Sequence, residues 1–274
     1  MHLRYGIVLA GILALTACAK PTTYAPPVTA AEIKAEQIRQ QEAAQSNPFP
    51  KIKEPVEVTD AMRERLDSIA DKVAPQATHI CEEIQTNTPR QPICSFEVEL
   101  SEDVPGVNAY ADGSKVVISS TMMAFAEKDT HLAFVLAHEL AHNIMRHPQR
   151  NGQNVLAGVL LGSAVDVFAG TGKLGQAGAQ VGQLAYSSDF ENEADYIGLY
   201  ILKRAGYPIA EAPEFWAAMS RYNPEGITLS STHPTFPERY VVMRKTINEI
   251  NSKEQIGMPM LPEFLPSEQK TAAK

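Results

Sequence analysis

The sequence predicts an α+β fold, mainly helical, with a small sheet beside the helix that carries His138 and His142. Three observations carry that expectation. Apolar residues recur at helical spacing in several long runs, such as Leu132, Leu136, Leu140 and Ile144. Strand-like segments are confined to residues 79–119, ahead of that run. The run itself contains His138-Glu139-Leu140-Ala141-His142. Two imidazoles four apart share one helix face and reach one metal ion, and the Glu between them stands beside that face as a general base.

The elements follow in chain order. Residues 1–17 read as a signal: His2 and Arg4 precede the apolar run Gly6–Leu15, which is too short for a durable membrane span. Leu15-Thr16-Ala17-Cys18 resembles a bacterial lipoprotein signal, which makes Cys18 the lipidated residue. Ala19 in place of Asp resembles an outer-membrane sorting signal. Residues 18–50 read as anchor and flexible tether, with Pro21, Pro26 and Pro27 at the start and a Gln/Glu/Ala-rich middle of helical character. The domain spans 51–252. Thr59-Asp60 caps a helix with Met62, Leu66, Ile69 and Val73 inward. Strand-like His79–Ile84 and Ile93–Leu100 follow, then Lys115–Ser119 and a short helix over Thr121–Glu127. Asp129-Thr130 offers the N-cap of the metal helix, and His147-Pro148 ends it. Helices over Pro213–Arg221, with Trp216 in the core, and Pro237–Asn251 complete the domain; 253–274 reads as a flexible tail.

A third ligand is available. Glu191 and Asp195 lie four apart, on one face of a helix whose apolar side is Phe190, Ala194, Ile197 and Ile201. Glu191 completes a His₂Glu zinc set with His138 and His142, leaving a fourth position open. Asp195, one turn on, accepts a ring N–H from a ligating His and sets its tautomer. Glu193 points away from Glu191 and reads as a solvated acidic residue.

Together these motifs resemble the HtpX, Oma and CAAX prenyl endopeptidase family of zinc peptidases, within the gluzincins. The resemblance includes Asn108-Ala109-Tyr110-Ala111, Ser231-Thr232-His233-Pro234 and Arg239, and spans about Pro105 to Val242 in the family's order. It implies a gluzincin-type metallopeptidase domain with one Zn²⁺, His138, His142 and Glu191 as ligands, Glu139 as base and His233 beside the metal. His233 has two possible roles: with Arg239 it stabilises an oxyanion, or it is a fourth ligand that keeps the enzyme latent. Asn108–Ser119 offers an edge strand for extended substrate. The domain shows no evident transmembrane helix and no C-terminal helical repeats, which suits a compact member.

The net charge of −8, with no basic stripe, argues against nucleic acid as a partner. Besides Cys18 the chain has Cys81 and Cys94, an even pair that suggests a disulfide in an oxidising periplasm. Gly152–Tyr186 holds eight of the sixteen glycines. It reads as a mobile flap, a membrane-surface insertion, or two closely packed helices joined near Thr171-Gly172. The expected function is a zinc endopeptidase anchored to the outer membrane and facing the periplasm. Its substrates are unfolded or misassembled polypeptides, with outer-membrane proteins as the client class implied by resemblance. The alternative is a chaperone or assembly factor with latent peptidase activity.

Overall fold

The structure is a computed structural model. It describes residues 24–43, 52, 56–85, 94–152, 174–221, 233 and 237–264. Seven helices are named here: α1 (Ala30–Ala43), α2 (Asp60–Gln85), α3 (Ser120–Phe125), α4 (Asp129–Ile144), α5 (Leu174–Arg204), α6 (Ala212–Arg221) and α7 (Pro237–Gln255). The strands are β1 (Glu97–Ser101), β2 (Ala109–Ala111) and β3 (Lys115–Ser119). The expected α+β class, mainly helical with a small sheet, holds.

Helix α2 starts where the sequence indicated, with Thr59 Oγ1 accepting the Met62 N–H at 3.2 Å. It does not stop at Pro75, which lies inside it. The inward stripe Leu66, Ile69, Val73 continues as Ala77, Ile80, Cys81 and Ile84, all buried. The strand expected at His79–Ile84 is therefore the last part of this helix. Burial of one unbroken stripe outweighs the backbone hydrogen bond that Pro75 forfeits. Cys81 and Cys94 are bonded, Cα to Cα 5.6 Å, and join the end of α2 to the approach to β1 rather than closing a hairpin.

The sheet order is β1-β3-β2. β1 runs parallel to β3 and β2 antiparallel to it. The central strand β3 buries Val116, Val117, Ile118 and Ser119, the continuous apolar run expected of a strand covered on both faces. Only β2 of the expected edge segment lies at the edge, and Lys115–Ser119 is central. The chain enters α3 directly, with Ser119 Oγ accepting the Met122 N–H at 2.9 Å.

Helix α4 is buried throughout Leu132–Ile144. The expected N-cap is displaced: Lys128 occupies that position without a side-chain bond, and Asp129 is the first helical residue. Asp129 instead receives Arg65 Nε at 2.8 Å, while Arg65 also donates to the carbonyls of Met123 and Ala126. One guanidinium thus satisfies the carbonyls that the α3–α4 corner leaves open. The helix ends at Ile144, earlier than expected. Arg146 turns the chain with φ 57°, and residues 147–152 resume as helix. Pro148 sits in that first turn, where its missing N–H costs nothing.

Helix α5 packs along α4. Gly198 makes this possible, since a Cβ there would lie 3.2 Å from both His138 Cα and His138 N. Those atoms belong to a buried helix and cannot yield. Gly198→Ala is expected to destabilise the fold by about 1–3 kcal/mol and to weaken metal binding, because it pushes α5 away from the ligating helix. Thermal unfolding with metal titration checks this; wild-type values for both would show that the helices have slack here.

Two stretches expected to be loose are docked. Helix α1 packs on α7 through Glu36, which is 2% exposed and accepts from Arg244 Nε at 3.2 Å. Residues 257–264 fold back too: Leu261 O accepts from Lys253, and the Glu263 N–H bonds Tyr196 Oη at 2.7 Å. Cys18, the signal, residues 153–173 and 265–274 lie outside the described residues. From Leu174 the Gly-rich stretch is helix, continuous with the part of α5 that carries Glu191. No helix among the described residues is long and apolar enough to cross a membrane.

Candidate metal centre

Two helices and one loop residue converge on a point. His138 and His142 project from α4, Glu191 from α5, and His233 comes from between α6 and α7. One ligand atom from each lies within 4.8 Å of the others, and all four residues are buried. His138 Nε2 is 3.1 Å from His142 Nε2, 3.4 Å from His233 Nδ1 and 3.4 Å from Glu191 Oε2. Glu191 Oε1 is 3.5 Å from His142 Nε2 and 3.1 Å from His233 Nδ1. A tetrahedron with metal–ligand bonds of about 2.0–2.1 Å has edges near 3.3–3.4 Å. Three imidazole nitrogens and the Glu191 carboxylate, which meets His138 through Oε2 and His142 and His233 through Oε1, thus cluster closely enough to share one metal ion, and the donor set suits zinc.

The supporting residues fit the same assignment. His138 Nδ1 lies 2.9 Å from Asp195 Oδ1, a close charge contact on the outer side of the ring, while Nε2 faces the centre. Asp195 is itself held by Arg239, Nε at 2.7 Å and Nη2 at 2.9 Å, and by Trp216 Nε1 at 3.0 Å. Arg239 Nη1 also reaches Glu191 Oε2 at 3.0 Å and donates to His233 O at 3.3 Å. The oxyanion-donor role expected of Arg239 does not fit this placement. Its guanidinium is 1% exposed and occupied by two carboxylates and a carbonyl. Trp216 is core, as expected, and in addition presents its edge to His138 and carries Arg239 on its face.

Burial dominates the electrostatics. It disfavours charge on His138, but the hydrogen bonds and charges of Asp195 and Glu191 outweigh it and raise the ring to about 9. His142 lacks such support and goes the other way: burial and the neighbouring imidazoles hold it well below the usual histidine value. Burial opposes ionisation of Glu191, yet His233, Arg239 and His142 keep it well below the carboxylate range. Burial likewise opposes charge on Asp195, and the Arg239 guanidinium overcomes it.

Glu139 differs from these acids. It is fully buried, and neither carboxylate oxygen has a hydrogen-bond partner. His233 Nε2 lies 3.3 Å from Glu139 Oε1. A base with unspent lone pairs beside the ligand cluster is placed to take a proton. His233 thus faces two ways, Nδ1 into the ligand cluster and Nε2 towards Glu139.

Three contributors escaped the sequence reading. Glu193 is not solvated; it is buried and bonds His147, Arg150 and the Tyr24 N–H. Helical phase placed it opposite Glu191 correctly, but α5 is covered on that side as well. His147 had been read only as a helix terminator. Asn143 accepts the Gly113 N–H at 2.7 Å and donates to Lys115 O at 3.0 Å, which pins the β2–β3 turn to α4. Only Asn143 carried a signal, as a polar residue in a largely apolar helix; His147 and Glu193 stand among polar neighbours and gave none.

Comparison with known proteins agrees with this geometry. The chain is similar to a beta-barrel assembly-enhancing protease of Yersinia pestis, 32% identical over 160 residues that make up 53% of this chain and 33% of the relative. It is 30% identical over 147 residues to the mitochondrial metalloendopeptidase OMA1 of Saccharomyces cerevisiae, covering 51% of this chain and 43% of that one. The Schizosaccharomyces pombe counterpart is 29% identical over 184 residues, 62% of this chain and 53% of its own length. The match thus spans only about a third to a half of these relatives. The pattern of peptidase family M48 matches residues 64–247, a stretch running from α2 into α7 that contains the whole ligand cluster and its supporting acids. The chain belongs to peptidase family M48.

Proposed function

We propose that this protein is a zinc-dependent endopeptidase of the bacterial periplasm, lipid-anchored to the outer membrane through Cys18, that degrades misfolded or stalled envelope proteins. The observation that carries the activity is the buried cluster of His138, His142, Glu191 and His233 beside the unbonded Glu139 carboxylate. Zinc in such a site supplies Lewis acidity, polarising a carbonyl and making water easier to deprotonate. Glu139 takes the proton of the attacking water and delivers it to the leaving amine. Asp195 and Arg239 keep His138 and Glu191 oriented. The β2 edge, Ala109–Ala111, pairs with an extended substrate backbone, reading main chain more than side chains, which suits unfolded clients. Cleavage of casein by the purified protein, abolished by a chelator and restored by zinc, is the expected result. Failure to cleave in any metal state would overturn the peptidase reading.

The envelope assignment is supported by the lipoprotein-like Leu15-Thr16-Ala17-Cys18 and by the bond between Cys81 and Cys94, which suits an oxidising compartment. The client class is supported by the similarity to beta-barrel assembly-enhancing proteases. Cys18→Ser is expected to move the protein from the outer-membrane fraction to the soluble periplasm. Retention in the membrane would remove the anchor from the proposal.

The placement of His233 favours one variant of this reading, a peptidase held latent. If His233 ligates through Nδ1 together with the other three, its ring would occupy the position that water and substrate need. Such a protein spends most of its time as a chaperone or assembly factor and cleaves when His233 gives up that position. His233→Ala is accordingly expected to raise casein turnover severalfold. A fall of about 10²-fold, the size expected on removing an oxyanion donor, would assign His233 to the transition state instead.

A further inference from the structure

The two ligating histidines are supported unequally. His138 is backed directly by the Asp195 carboxylate. His142 has no carboxylate on its outer nitrogen: its Nδ1 lies 2.8 Å from Nδ1 of a second imidazole, His147. His147 in turn places Nε2 2.9 Å from Glu193 Oε2. Proton counting leaves one arrangement. If His142 ligates through Nε2, its neutral ring carries the proton on Nδ1. His147 Nδ1 must then accept, so its own proton sits on Nε2, where the Glu193 carboxylate receives it. Every donor in the chain meets an acceptor, in one direction only.

The surroundings hold this chain in place. Glu193 is also bound by Arg150 Nη1 at 2.6 Å and by the Tyr24 N–H at 3.2 Å. His147 is stacked on Phe190 at 4.5 Å, 13° from parallel, and is only 3% exposed. The backbone makes a concession for it. Arg146 adopts φ 57°, a left-handed conformation that a non-glycine residue takes at a cost. That turn ends α4 and brings His147 back against His142.

We propose that His147 and Glu193 form a relay that orients His142 as a metal ligand, with His147 as the positioning residue. The relay rests on the reading of His142 as a zinc ligand. It does for the second histidine what Asp195 does for the first, through an intermediate ring. Its outer end meets the N-terminal segment at Tyr24, so the docked segment before α1 also contributes to the support of the metal.

Zinc affinity tests it, measured on the full chain by competition with a chromophoric chelator and by the zinc dissociation rate. His147→Phe keeps the ring stacked on Phe190 and removes both hydrogen bonds. It is expected to weaken zinc binding by about 10–100-fold and to speed release, with the unfolding temperature of the metal-free protein nearly unchanged. His147→Gln, whose amide accepts at one atom and donates at the other, should recover part of the loss. Glu193→Gln, isosteric and uncharged, gives an independent check if the Phe variant folds poorly, and should weaken zinc binding by a smaller factor. Wild-type zinc affinity and release in His147→Phe, or in Glu193→Gln should the first not fold, would overturn the relay while leaving the metal site intact. A wild-type protein that binds no zinc would overturn the site reading and the relay with it.

Discussion

Glu139→Gln is expected to lower casein cleavage by at least about 10²-fold, the lower end of what a positioned general base contributes, while zinc content stays at the wild-type level. The ligand atoms belong to His138, His142, Glu191 and His233, and none is touched by this change. Gln keeps the shape of the side chain and loses its ability to take a proton. The same substitution is expected to raise the unfolding temperature. Glu139 is fully buried with both oxygens lacking a hydrogen-bond partner, and a neutral amide costs less to bury than an ionised carboxylate. Opposite signs for activity and stability mark a residue kept for chemistry. Near-wild-type cleavage would remove Glu139 from the mechanism, and parallel loss of zinc would show that it contributes to the ligand set.

Arg239→Met is expected to destabilise the metal-free protein by about 3–5 kcal/mol, the range for removing one partner of a buried ion pair. Arg239 is 1% exposed and serves Asp195 with two donors and Glu191 with a third. Met fills similar volume against Trp216, so the loss is electrostatic rather than a cavity. Two carboxylates are left without their fixed cation, and His138 loses its orientation through Asp195. Measurement on metal-free protein matters, because a bound divalent ion would offset part of the exposed charge on Glu191. Arg239→Lys should recover only a fraction, since an ammonium cannot serve Asp195 with two parallel bonds. An unfolding temperature within a degree or so of wild type in Arg239→Met would show that the acids find other partners.

The ligand set was legible because helix periodicity is local. Residues four apart share a face whatever the rest of the chain does, so His138 with His142, and Glu191 with Asp195, were paired before any fold was known. The inward stripe of α2 and the apolar run of β3 were legible for the same reason. Errors arose where tertiary burial overrode a local rule. His79–Ile84 has strand character in isolation but is helix, because Ala77, Ile80, Cys81 and Ile84 extend a stripe that buries against α4 and α5. Glu193 was taken for a surface residue on sound phase, but α5 is covered on more than one side.

The sequence by itself singled out the candidate groups: two histidines with a glutamate between them, and a carboxylate further on, at spacings that put each pair on one helix face. Only the tertiary structure decided who supports whom. It gave Arg239 to Asp195 and Glu191, and it brought Nδ1 of His233 against His138 and Glu191. It also set His147 and Glu193 behind His142. The physical reason is range. Ligand spacing along one helix is set by its 3.6-residue repeat. Hydrogen bonds between residues about forty positions apart depend on how α4, α5 and α7 pack, and no local pattern encodes that.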